Sequence, residues 1–261
     1  MKNFLRTSER GNTILITDFD GTLHRGICPF IFRGIANADI GIALLALNFF
    51  RIRKSVRLFY ELFRLWLLDR ELRKNYKSGK ISLSTADEEL IRFFASNILS
   101  MCDEKDIEKA SSFVARLSNK NAWESLSAIS GKCSIAIVSK SFEFLLKKIC
   151  ERAFENYGLS VEYHGVKTGN KFMDISEDSV ISRASKYDKV KELLAVRGFE
   201  KVIIIGDTED DIAMRDAAVD VRGKNNVTFI AVNPRDKKIA MSCDKAFNSW
   251  SGLRAFLDDI R

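Results

Sequence analysis

The sequence predicts an α/β protein, a doubly wound parallel sheet interrupted after its first strand by an all-helical insert. Three observations lead there. Short apolar, β-branched runs stand at Ile14–Thr17, Ser134–Val138, Val202–Ile205 and Thr228–Val232, as strands buried on both faces require. In the second half of the chain these runs alternate with segments of helical period, the signature of parallel strands joined by crossover helices. Between Ile27 and Asn121 strand signals nearly vanish and apolar residues recur at three- and four-residue steps. A chain of 261 residues can hold one generous α/β domain, or one such domain with a smaller one inserted. The expected division is a core of residues 1–26 and 121–261 and a helical insert of residues 27–120.

The first strand ends in Asp18-Phe19-Asp20-Gly21. The two-residue period of extended chain sends Asp18 and Asp20 to one side and Phe19 to the other. Two carboxylates side by side at the end of a buried strand repel unless a cation sits between them, which suggests Mg²⁺. Taken alone, an ordinary strand with an Asp-Gly turn explains the stretch as well.

In the insert, Val56, Phe59, Tyr60, Phe63, Leu67 and Leu68 recur with arginines between them, which predicts an amphipathic helix over Ile52–Tyr76. Thr85 to Glu88 resembles a capping box opening a second helix, and a third is expected from Asp103 or Glu104 to Leu117. Trp123–Ile129 then reads as helix, Cys133–Val138 as strand and Phe142–Phe154 as helix. Val161–Val166 and Lys171–Ile175 flank a turn-rich link, as in a β-hairpin. Tyr187–Arg197 reads as a helix closed by Gly198, followed by a strand at Lys201–Ile205, a helix at Asp210–Ala217, a strand at Thr228–Val232 and a helix at Ser249–Ile260.

Composition narrows the class. Apolar residues at 46% and charged residues at 30% suit a soluble domain with a real core. Five scattered cysteines without a CxxC pair indicate neither a zinc site nor a disulfide framework. The first residues lack an apolar signal core, and the longest apolar run, Ile40–Phe50, is about half of a membrane span, so the cytoplasm is the expected location. Between Arg51 and Lys80, ten basic residues face three acidic ones, an excess that equals the formal charge of +7 for the whole chain. Such a field draws in anionic substrates, acidic lipid surfaces or nucleic acid without choosing among them.

In a doubly wound sheet, ligands collect outside the carboxyl ends of the strands. One strand ends in Ser139-Lys140-Ser141 before a helix, where a hydroxyl and free N–H groups make a phosphate site or a plain N-cap. Lys186 and Lys189, at the start of the next long helix, are either phosphate-neutralising charges or solvated surface. Another strand ends in Gly206-Asp207-Thr208-Glu209-Asp210-Asp211, where four acids within five positions call for a cation. Asp207 would complete a hard-cation site with Asp18.

With these residues in hand, the chain resembles the haloacid dehalogenase (HAD) superfamily of Mg²⁺-dependent phosphohydrolases, and within it the phosphoserine-phosphatase-like branch. DFDGTL at Asp18–Leu23, Ser139, Lys186 and GDTEDDIAM at Gly206–Met214 resemble its four motifs in order. Lys186 is preferred to Lys189 because Val190, Leu193 and Gly198 follow it at the family's spacing. The resemblance implies a Rossmann-like core with a helical cap between motifs one and two. It implies that Asp18 attacks phosphorus to form an aspartyl-phosphate, and that Asp20 protonates the leaving oxygen and then activates water. It also implies Mg²⁺ held by Asp18, the Asp20 carbonyl and Asp207 with Asp211 orienting its waters, and phosphoryl oxygens held by Ser139, Lys140 N–H and Lys186.

Two departures bear on the substrate. Lys140-Ser141 stands where glycines are common, and His24-Arg25-Gly26-Ile27 stands where a substrate-binding glutamate is expected, with no acid until Asp39. The reading is therefore a phosphatase for a small phosphomonoester, with phosphoserine itself disfavoured, and with His24 and Arg25 as solvated loop residues or as substrate readers. Phosphoryl transfer to a non-water acceptor and a binding protein using its basic cap on acidic lipid or nucleic acid are the alternatives. A nucleic-acid partner is not expected, and a peripheral membrane contact ranks below a soluble substrate. The oligomeric state is left open.

Overall fold

A computed structural model describes residues 12–24, 26, 36–169, 175, 183–234 and 237–258. Strand β1 (Thr13–Thr17) sits inside the sheet, with β2 (Ser134–Phe142) on one side and β4 (Lys201–Gly206) on the other. With β3 (Glu162–Val166), β5 (Val227–Val232) and β6 (Lys245–Phe247), the order is β3-β2-β1-β4-β5-β6, and every described pairing is parallel. Thr17 lies level with Ile137 and Ile205, so the ends of the three inner strands meet in one place. The chain moves outward from β1 in both directions, which makes the β1/β4 boundary the switch point where such sheets bind ligands.

The β-branched runs form strands because both faces of the sheet are covered, the condition that favours Ile and Val at every position. Ile14, Ile16, Ala136, Val138 and Ile204 pack against α7 (Arg183–Val196) through Val190 and Leu194, and against α8 (Asp210–Arg222) through Met214 and Ala217. Leu15, Ile137 and Ile205 face the opposite way. They join Leu126 of α5 (Lys120–Ile129), Leu146 of α6 (Glu143–Tyr157) and Leu253 of α10 (Trp250–Asp258). A short α9 (Lys237–Ser242) leads into β6; neither element was legible in the sequence.

The insert comprises α1 (Ala36–Leu47), α2 (Ile52–Lys77), α3 (Leu83–Asn97) and α4 (Glu104–Arg116). The expected helices are there with shifted ends: α3 is capped by Ser82, whose Oγ accepts the Thr85 N–H at 3.0 Å, and α4 by Asp103. The unexpected α1 absorbs most of the Ile40–Phe50 run, with Ile40 and Leu44 in the same apolar cluster as Leu15. Among the described residues no helix is long and apolar enough to cross a membrane.

Two further expectations are corrected, and a third lies partly outside the described residues. Strand β2 runs on to Phe142 and α6 starts at Glu143, so Ser139, Lys140 and Ser141 lie on the strand and not at a helix N-terminus. Left-handed glycines close α2 at Gly79, φ 71°, and α6 at Gly158, φ 64°, whereas Gly198 does not take a positive φ. Among the described residues β3 stands at the sheet edge, parallel to β2, and residues 171–174 of the expected hairpin lie outside the described residues, as do Arg25, Ile27 and Cys28.

Candidate active site

Asp18 follows the last residue of β1, anchored by its N–H to the Ile205 carbonyl at 3.0 Å. Strand parity turns it toward α7 and α8, the face shared by Ile14 and Ile16. There Lys186, in the first turn of α7 and fully buried, places Nζ 3.0 Å from Asp18 Oδ1 and 2.9 Å from Asp211 Oδ1. Lys189 instead pairs at the surface with Glu192 at 2.6 Å, so of the two lysines the fold brings Lys186 to the buried carboxylates.

Asp211 Oδ2 accepts from Asp207 N–H (2.9 Å), Thr208 N–H (3.0 Å) and Thr208 Oγ1 (3.2 Å). With Lys186 on Oδ1, this carboxylate has reached its capacity of about four hydrogen bonds, so it shapes the β4–α8 turn and orients Lys186. Gly206 permits the fold-back, because a Cβ there would run into the Asp211 carboxylate. Thr22 Oγ1 donates to Asp207 Oδ1 at 3.1 Å, and the Trp250 indole holds the Thr22 carbonyl at 2.8 Å. These tie the loop after β1 to the end of β4. The sequence reading passed over Thr22 even though it lies within the DFDGTL motif.

Asp20 Oδ2 is a neighbouring but separate centre: it accepts from Ser141 Oγ at 2.8 Å and from Ser139 Oγ at 3.4 Å. Ser141, not singled out from sequence, is the nearer of the two. The Lys140 side chain points away from this pair, to Asp87 Oδ2 of α3 at 2.7 Å and to Asp210 Oδ2 of α8. The negative charge of Asp210 is thus matched by the positive charge of Lys140.

His24 is no solvated loop residue. It is fully buried, stacks on Phe19 with ring centroids 5.4 Å apart, and its Nε2 lies 2.6 Å from Asp39 Oδ2 on α1. Asn37 of α1 donates to the Lys140 carbonyl at 3.3 Å and accepts the Phe142 N–H at 3.2 Å. The insert is therefore stitched to the two strand ends that carry the candidate site.

Burial pushes the Asp18 carboxyl up to about 7 against the pull of Lys186, with Asp211 and Asp20 adding repulsion. Burial alone would discharge Lys186, but Asp18, Asp211 and Asp210 outweigh it and hold its pKa above the usual lysine value. Asp18, Asp207 and Asp211 are all buried, with oxygens within 4.8 Å of one another. Their three negative charges against the one ammonium of Lys186 leave an excess of two, and oxygen-only donors suit a hard divalent cation. Although Lys186 Nζ is near, Asp18 Oδ1 lacks an aligned hydrogen-bond donor, which leaves this oxygen available to a cation.

The chain was compared with known proteins. Neither a protein-family model nor a curated protein sequence matches it. Solved structures do. The phospho-aspartyl intermediate analogue of phosphoserine phosphatase matches with a TM-score of 0.57 and 14% identity over 95% of this chain and 99% of the other. The fold is that of the HAD phosphatases. A HAD family hydrolase from Salmonella enterica serovar Typhi matches with a TM-score of 0.59 and 16% identity over 97% of this chain and 73% of its own. Cytosolic 5'-nucleotidase IIIB bound to cytidine gives 0.58 and 13% over 95% and 85%. The parallel-sheet core and its helical insert are thus present as expected.

Proposed function

We propose that the protein is a Mg²⁺-dependent phosphatase that hydrolyses a small phosphomonoester through an aspartyl-phosphate on Asp18. The observation that carries this reading is the buried Lys186 ammonium bridging Asp18 and Asp211 at 3.0 and 2.9 Å beside Asp207. The fold shared with a phospho-aspartyl phosphatase structure supports it.

Asp18 attacks phosphorus in line and the bond to the leaving oxygen breaks as Asp20 delivers a proton to it. Asp20, oriented by Ser141 and Ser139, then takes a proton from water. That water attacks phosphorus, the bond to Asp18 breaks, and inorganic phosphate leaves. Lys186, with Ser139 and the Lys140 N–H, meets the charge on the phosphoryl oxygens. Asp18, Asp207 and the Asp20 carbonyl would hold the metal ion, which when bound neutralises charge between nucleophile and phosphate. Residues 27–120 act as the cap in this reading, and the location is cytoplasmic.

A substrate without an ammonium group is favoured. Asp87, which the insert brings to the site, is already paired with Lys140, and Asp39 is engaged by the His24 ring. Turnover of p-nitrophenyl phosphate with Mg²⁺ tests the reading, and a rate no higher than that of Asp18→Asn across a phosphate-ester panel would refute it. Recovery of less than full inorganic phosphate in the presence of alcohols would instead establish transfer to another acceptor.

A further inference from the structure

Helix α2 has two apolar faces, and only one is used. Leu58, Leu62, Leu65 and Leu72 turn inward. Ile52, Val56, Phe59, Phe63 and Leu67 follow one another at three- and four-residue steps on the opposite side, with exposures from 45% at Leu67 to 74% at Ile52. Phe49 and Phe50, 69% and 94% exposed, extend the stripe beyond the helix start, and Tyr60 widens it at 57%. A contiguous apolar surface of this kind on a soluble domain marks a place that something covers.

The charges say what. Exposed Arg53, Arg57 and Arg64 line one flank of the stripe, and Arg70, Lys74 and Lys77 continue its line toward the helix C-terminus. This is the distribution of an interfacial amphipathic helix, with aromatic and aliphatic side chains in the acyl boundary and guanidinium groups at the headgroups. A second copy of the chain fits poorly, because a two-fold contact would set this strongly basic segment against itself. Nucleic acid would meet the arginines yet leave Ile52, Val56 and Leu67 without a stacking role.

We infer that the outward face of α2 docks the protein onto an anionic lipid bilayer surface, peripherally and without crossing it. The inference stands apart from the catalytic reading. The insert is joined to the strand ends through Asn37, Asp39 and Asp87, so docking would hold the candidate site close to the bilayer.

Sedimentation of the full chain with vesicles tests this. Partition into phosphatidylcholine vesicles containing roughly a third phosphatidylglycerol should exceed partition into phosphatidylcholine alone by about tenfold and fall as salt rises. Phe59→Asp with Phe63→Asp should cut binding by about tenfold or more, and Arg53→Glu with Arg57→Glu should remove the preference for anionic vesicles. All four positions are exposed, so unchanged circular dichroism and unchanged p-nitrophenyl phosphate turnover separate lost docking from lost folding. Absence of vesicle binding at low salt, or wild-type binding by the Phe59/Phe63 variant, would overturn the inference. So would a wild-type dimer that this variant dissolves, or binding to single-stranded RNA without binding to vesicles.

Discussion

Lys140 at the end of β2 and Asp87 on α3 form a 2.7 Å ion pair that joins the insert to the core, and the same ammonium reaches Asp210. Burial raises the Asp87 carboxyl pKa and works against the charge on Lys140, but Asp87 and Asp210 together hold Lys140 charged. Removing Lys140 therefore leaves two partly desolvated carboxylates facing each other. Lys140→Met should destabilise the protein by about 1–3 kcal/mol, and Asp87→Asn should rescue part of that loss. Urea unfolding of both single variants and the double variant checks this, with additivity within about 0.5 kcal/mol as the contrary result.

The two lysines of α7 should separate cleanly. Lys186→Met should lower kcat by about a hundredfold or more, since the lost charge faces the reacting phosphoryl group. Lys189→Met, which loses only a surface pair with Glu192, should stay within about twofold of wild type. Steady-state kinetics on p-nitrophenyl phosphate gives both.

Without metal, Asp18 makes stability depend on pH. Its carboxyl is raised from 3.8 to about 7, so the folded state binds this proton more tightly than the unfolded chain. The stabilisation is complete below the unfolded value and is lost as pH rises through the folded one. In chelator, the wild-type Tm should therefore fall between about pH 4 and 7 relative to Asp18→Asn, by about 2–4 °C for each kcal/mol lost. Melting curves of the two proteins at pH 4 and pH 8 measure the difference.

Adding Mg²⁺ should reverse that loss, because a cation stabilises the Asp18 carboxylate and binds only the folded site. Wild-type Tm at pH 8 should rise with Mg²⁺, and Asp207→Asn should blunt the rise. An identical response from Asp207→Asn would remove Asp207 from the metal site.

Gly206 is open to a sharper test. Its missing Cβ leaves room for the Asp211 carboxylate, so Gly206→Ala should displace Asp211, loosen Lys186 and the Asp207 turn, and cost about 1–3 kcal/mol. Activity should fall further than stability explains, as comparison of kcat with urea midpoints would show.

Much of this protein is local and therefore readable along the chain. The unbroken apolar strands, the two carboxylates that follow β1, the four acids after β4 and the period of α2 all follow from backbone geometry over a few residues. The doubly wound sheet and the candidate site at its strand ends were legible for that reason. Partnerships across elements were not. Lys140 with Asp87 and His24 with Asp39 are contacts that the packing of the insert onto the core creates, while Ser141 with Asp20 and Thr22 with Asp207 arise where strand ends distant in sequence meet. The same holds for the stripe on α2: its spacing is in the sequence, but an amphipathic helix has one apolar face to bury. Only the packed structure shows that α2 buries Leu58 and Leu62 and leaves Phe59 and Phe63 to solvent.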